Sequence, residues 1–204
     1  MNTAHKFPHK NFAFFCSKTT IGRKFSALFI CFFIATIINT QAQSYQAEDG
    51  YVEFISTAPL LEFKGVSNQL NGLVNLDRNL LDFYVDLNTL ETGIRRRDRD
   101  MRSSYLNTDQ FPFAEFTGEI VTEFDPALAL EQPVRATGKF TIHGVEREMD
   151  VEGTLQSDGN ILILKANWVV RLEDHNIDRP RVLFYELADE QRVNIHIKLT
   201  KTTD

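Results

Sequence analysis

From Tyr51 to Leu199 the chain alternates apolar and polar residues with a period of two. Such alternation marks a strand with one buried face and one wet face. Leu81, Phe83, Val85 and Leu87 share a face opposite Asp82, Tyr84 and Asp86. The same pattern runs through Leu70, Gly72, Val74 and Leu76, then Ala114, Phe116, Gly118 and Ile120. It recurs in Val134, Ala136, Gly138, Phe140 and Ile142, and again in Val193, Ile195, Ile197 and Leu199. Ser157-Asp158-Gly159-Asn160 is a strong hairpin turn between two such runs. The pattern predicts about eight antiparallel strands joined mostly by short turns. No helix-strand unit repeats, which excludes a parallel sheet. Periodicity alone does not separate a closed barrel from a two-sheet sandwich.

One segment breaks the alternation. Residues 92–118 read TGIRRRDRDMRSSYLNTDQFPFAEFTG, with a turn at Thr92-Gly93 and a charged helix expected over residues 96–106. The order T-G-x-x-x-R-D-x-x-M-R-S, followed by an aromatic-Pro-x-A-x-F strand, resembles the YceI-like family of lipid-binding barrels. A second block, Gly138-Lys139-Phe140-Thr141-Ile142-His143-Gly144-Val145, is similar to that family's hairpin. The resemblance runs from about Tyr51 to Leu199 and implies an all-β fold, an antiparallel eight-stranded lipocalin-like barrel with one short helix inserted between strands. It also implies an isoprenoid or fatty-acid-like ligand, no catalysis and no metal. Asp100 stands where the family usually carries a histidine.

The first 42 residues read as a cleaved secretory signal peptide. Lys18, Arg23 and Lys24 precede a 14-residue apolar run, Phe25 to Ile38, and Thr40-Gln41-Ala42 supplies the small residues of a cleavage site. A membrane-spanning helix needs about 20 apolar residues, more than this run offers. The expected product is a single domain over residues 43–204, exported to the periplasm or secreted. Both cysteines, Cys16 and Cys31, lie in the leader, so the remainder has no disulfide and no thiolate nucleophile. The leader also holds five basic and no acidic residues, leaving 17 basic against 28 acidic residues, a net charge of −11. That balance argues against nucleic acid and against anionic membrane surfaces as partners.

Candidate ligand-contacting residues come from the apolar faces: Phe54, Phe83, Val85, Phe116, Phe140, Met149 and Trp168. Glycines on those faces, Gly138 among them, either let a strand bend or leave room inside. Five arginines lie between Arg95 and Arg102, interleaved with Asp98 and Asp100. Their surplus makes Arg95, Arg97 and Arg99 candidates for holding an anionic headgroup, since a guanidinium fork matches phosphate or carboxylate. Asp98 and Arg102 have the spacing of a helical ion pair, and Met101 and Tyr105 the spacing to pack the helix on the barrel. Arg97 and Asp98 match the family's Arg-Asp pair, for which a structural role is expected. His143 is expected to serve the turn, and His196 to face outward. His175 stands among carboxylates in a polar loop, the one place where weak metal binding is conceivable.

Three functions fit this reading: a carrier or sensor of an amphiphilic lipid, an enzyme acting on such a lipid, and a filled barrel acting through its surface. The inward faces offer no converging titratable pair and no nucleophile with a base, which favours a non-enzymatic lipid carrier without a cofactor.

Overall fold

The computed structural model describes residues 43–58, 61–179, 181–182, 185–186 and 188–202. The expected leader, residues 1–42, lies outside them. Eight long strands form one closed antiparallel barrel. They are β1 (Ser44–Ala58), β2 (Leu61–Asn75), β3 (Leu80–Asp86), β4 (Phe113–Ile120), β5 (Gln132–Ile142), β6 (Val145–Ser157), β7 (Ile161–Arg171) and β10 (Glu190–Lys201). A two-stranded hairpin, β8 (Arg181–Val182) with β9 (Tyr185–Glu186), lies in the excursion between β7 and β10. Each barrel strand pairs with the next in the chain, and β10 closes on β1 through pairs such as Val52 with Ile195.

Turn chemistry fixes the register. His143 and Gly144 both adopt positive φ, 54° and 72°, in the two-residue loop between Ile142 and Val145. Two successive positive-φ residues are what the right-handed twist of a tight hairpin requires. Gly159, with φ of 91°, serves the turn between β6 and β7.

The two ends of the barrel differ. At one end β1 begins and β2, β6 and β10 finish. Here Tyr45, Val74, Leu155, Leu162, Ile197 and Leu199 are no more than 1% exposed and fill the interior. Main-chain bonds tie the first and last described residues to this end: Leu76 N–H donates to the Gln43 carbonyl at 2.9 Å, and Thr202 N–H to the Ser44 carbonyl at 2.8 Å. The opposite end carries helix α1 (Arg95–Asp100) and a π-helical turn, Met101–Tyr105. The expected helix therefore begins one residue earlier and changes hand-hold midway. Leu106 N–H donates to the Met101 carbonyl, five residues back, at 2.9 Å. Such wide turns recur at functional sites.

Candidate functional site

Between the packed end and the helical end lies a cavity of about 440 Å³. Every barrel strand contributes to its wall, and its lining is overwhelmingly apolar. Leu87, Leu90, Met101, Tyr105 and Leu106 roof it from the β3–β4 connection. Met101 and Tyr105 thus do pack the helical segment on the barrel. The cavity meets the surface beside Ile94 and Arg96, both exposed.

The structure brings Phe54, Phe83, Val85, Phe116, Phe140 and Trp168 together around this space. Phe54 meets Phe63 edge to face at 6.1 Å, and Phe140 meets Trp168 in the same way at 6.0 Å. Met149 is the exception. It has the inward parity of Val151 and Leu155, but the β6–β7 ladder ends at the Glu152–Asn167 pair, before Met149 is reached. Its side chain lines a second hollow, about 300 Å³, between the diverging strands.

Two of the inward glycines, Gly118 and Gly138, do not line the empty space. Gly118 and Gly138 face each other across β4 and β5. A Cβ added at Gly138 would lie 2.5 Å from the Thr117 carbonyl oxygen, 2.6 Å from Gly118 Cα and 2.8 Å from the Phe116 ring. These glycines permit close backbone approach, and an aromatic ring already covers them.

The arginines divide by role. Arg97 is half-buried: Nε donates to the Thr92 hydroxyl at 2.8 Å, a terminal nitrogen donates to the Thr92 carbonyl at 2.8 Å, and the guanidinium lies 4.1 Å from the Phe63 ring centre. It borders the cavity, and two of its five donors are committed to the fold. Arg95 and Arg99 do not line the cavity; both are exposed to solvent, and Arg99 rests 3.8 Å from Asp100. Arg96, which the sequence did not single out, is the arginine at the opening, 3.7 Å from Asp100. The spacing of Asp98 and Arg102 does not produce an ion pair. Asp98 is buried and turns back to Thr92, while Arg102 donates to the Leu90 carbonyl at 2.7 Å.

His143 serves its turn, donating from Nδ1 to the His175 carbonyl at 3.1 Å. His196 is exposed, on the outer face of β10. His175 belongs to the interior rather than to a polar loop. It is 4% exposed, donates from Nδ1 to the Val145 carbonyl at 2.9 Å, and meets the Phe140 ring at 5.5 Å. Burial holds its pKa below the usual histidine range, against the opposing pull of the Val145 hydrogen bond. Among the described residues no group of three or more His, Cys, Asp or Glu side chains gathers as a metal site.

Polar residues at the helical end escaped the sequence reading. Ser56 and Gln191 face each other across β1 and β10, are buried, and border the cavity. Their inward parity was the available signal, but polar residues on an apolar face read as interruptions.

Comparison with solved structures places this barrel among known ones. A polyisoprenoid binding domain from Saccharophagus degradans, implicated in plant cell wall breakdown, matches with a TM-score of 0.64 at 15% identity, over 79% of this chain and 100% of that one. BcnA of Burkholderia cenocepacia matches with 0.59 at 14% identity, over 74% of this chain and 96% of its own. The Campylobacter jejuni YCEI protein gives 0.58 at 16%, over 71% and 88%. At such identities the likeness concerns the fold. No curated protein matches the sequence. The YceI-like domain model matches residues 45–199, the whole barrel apart from its extreme ends, and the chain belongs to the YceI-like family.

Proposed function

We propose that this protein is an exported, non-enzymatic carrier or sensor that binds an amphiphilic lipid, isoprenoid or fatty-acid-like, inside its barrel. The observation that carries the reading is the cavity: about 440 Å³ of apolar-lined space in a barrel whose other end is solidly packed. Burying an alkyl chain yields about 0.8 kcal/mol per methylene. A dozen carbons give about 10 kcal/mol, comparable with the cost of association, so longer chains bind and short ones do not. The polyisoprenoid binding attributed to the Saccharophagus degradans domain supports the same class of ligand. The ionisable groups at the opening, Arg96, Arg97 and Asp100, are engaged with one another or with Thr92, an arrangement suited to holding structure rather than moving protons.

Native mass spectrometry of protein purified from its own host, followed by lipid extraction, tests this. The expected result is a mass increment that extracts as a lipid. Protein that is uniformly free of lipid and takes none up from solution would leave the surface-acting barrel as the better reading. Export is tested separately by N-terminal sequencing of protein from the host envelope, with a start at or near Gln43 expected. A retained 25–38 segment would show a membrane anchor instead.

A further inference from the structure

The seam between β6 and β7 differs from its neighbours. Its ladder stops at the Glu152–Asn167 pair, yet both strands continue toward the helical end. Each keeps its other partner there: Met149 pairs with Gly138 on β5, and Trp168 with Val193 on β10. Extending the register places Val151 opposite Trp168, Asp150 opposite Val169 and Met149 opposite Val170, and none of these is paired. The barrel wall is thus unzipped over this stretch.

The second hollow, about 300 Å³, occupies the unzipped stretch. Phe140 and Val170 line both it and the main cavity, so the two hollows adjoin at these residues. These side chains are held by contacts that give way through rotamer changes. Phe140 touches Trp168 and His175 edge to face, at 6.0 and 5.5 Å. Trp168 Nε1 is buried and has no hydrogen-bond partner among the described residues, none of which pins the indole by a polar contact. Met149, half-buried, is the most adaptable of apolar side chains. Val169 leaves an apolar edge outside, 48% exposed. The opening under α1 is braced by the buried Asp98 and by Arg97. The seam is bridged near the β5–β6 hairpin, where His175 bonds to the Val145 carbonyl and His143 to the His175 carbonyl, and Met149 to Val151 lie beyond that bridge.

We infer that this seam is a lateral portal of the cavity, through which the alkyl or prenyl chain of an amphiphile enters and leaves. The inference rests on the lipid-binding reading above.

The test uses the full chain with Cys16→Ser and Cys31→Ser, which removes both native cysteines. Asp150→Cys and Val169→Cys are then bridged across the seam with a short bis-maleimide. Asp82→Cys and Thr117→Cys, an outward pair within the intact β3–β4 ladder, form the control. Trp168 is the sole tryptophan, so its quenching by a fatty acid with a brominated chain reports uptake directly. Bridging the seam is expected to slow quenching at least tenfold while the end point stays within twofold, and the control bridge leaves the rate within twofold. Independently of any bridge, Met149→Ala is expected to speed uptake severalfold. Equal rates with and without the seam bridge, equal slowing by both bridges, or an unchanged rate in Met149→Ala overturns the portal. An unmodified protein that shows no quenching by chains of any length overturns the carrier reading, and the portal with it.

Discussion

The Asp98 carboxylate accepts a hydrogen bond from the main-chain amide of Thr92 at 2.8 Å and a second from the hydroxyl of the same residue. Arg97 grips that residue from the other side through its hydroxyl and carbonyl. The T-G-x-x-x-R-D motif is therefore a closed set of contacts that clips the start of α1 onto the roof of the cavity. Asp98→Ala removes a buried charged acceptor and leaves the Thr92 amide unpartnered. We expect a loss of about 2–3 kcal/mol, read as a lower midpoint in denaturant with an unchanged slope. Arg95→Gln with Arg99→Gln, both solvent-facing, is expected to change stability by less than about 1 kcal/mol. Equal losses in the two variants would show that the clip has no special role.

The arginine that bears on ligand charge is Arg96. Arg96→Gln is expected to weaken binding of a long-chain carboxylate by up to about fivefold, the range open to an exposed charge. An uncharged alcohol of equal chain length should bind as before. Raising the salt should erase the difference, because exposed charges are screened over about 8–10 Å. Fluorescence titrations of both lipids at two ionic strengths check this. The Arg95→Gln, Arg99→Gln double variant should bind both lipids like the parent.

Two substitutions on one inward face should have opposite outcomes. Ala136 is buried and borders the cavity, so Ala136→Leu projects its added carbons into empty space. Displacing two or three methylenes of ligand costs about 2 kcal/mol of binding, roughly thirtyfold, in a protein that still melts cooperatively. Gly138→Leu has no such freedom, since even its Cβ would stand 2.5 Å from the Thr117 carbonyl oxygen. It is expected to fail in folding rather than in binding. Circular dichroism melts and lipid retention, measured together, separate the two outcomes.

His175 makes stability depend on pH in a defined direction. Its folded pKa lies below its unfolded value because burial penalises the imidazolium. The unfolded chain therefore takes up the proton first as pH falls. Its contribution is fully present above about pH 6.5, declines as pH drops toward the folded pKa, and stays lost below it. Denaturant midpoints between pH 8 and pH 5 should fall less steeply in His175→Gln than in the parent. Parallel curves would mean that the buried histidine is not the group responsible.

Much of this architecture was legible because strand burial writes itself into every second residue. The faces through Leu81–Leu87 and Val193–Leu199 are inward as their parity requires. The turn at Asp158-Gly159 declared itself through its residue types, and that at His143-Gly144 through the family's motif; His143, Gly144 and Gly159 take positive φ. Closure of β10 on β1 joins residues 135 or more positions apart and leaves no local pattern, so only the family resemblance pointed to it. Met149 shows the limit of parity: the correct face was assigned, but the wall itself opens at that level. The arginine cluster shows the limit of counting. Five positive charges suggested a clamp, whereas which of them reach the cavity is decided by the turn of α1 and the pull of Thr92. His175 escaped because its ring turns inward from a polar segment, packing on Phe140 and bonding to the Val145 carbonyl, contacts that no local pattern announces.

Gln43 and Thr202 are both fastened at the packed end of the barrel, opposite α1. Any tether leaving the domain by either terminus therefore departs from the side that has nothing to receive or release. A fluorescent tag, a surface linker or a second domain fused there can hold the molecule in place without crowding its opening. An array of these barrels, grafted by one terminus to a bead or a bilayer, would present every helical end outward, like cups standing on their bases.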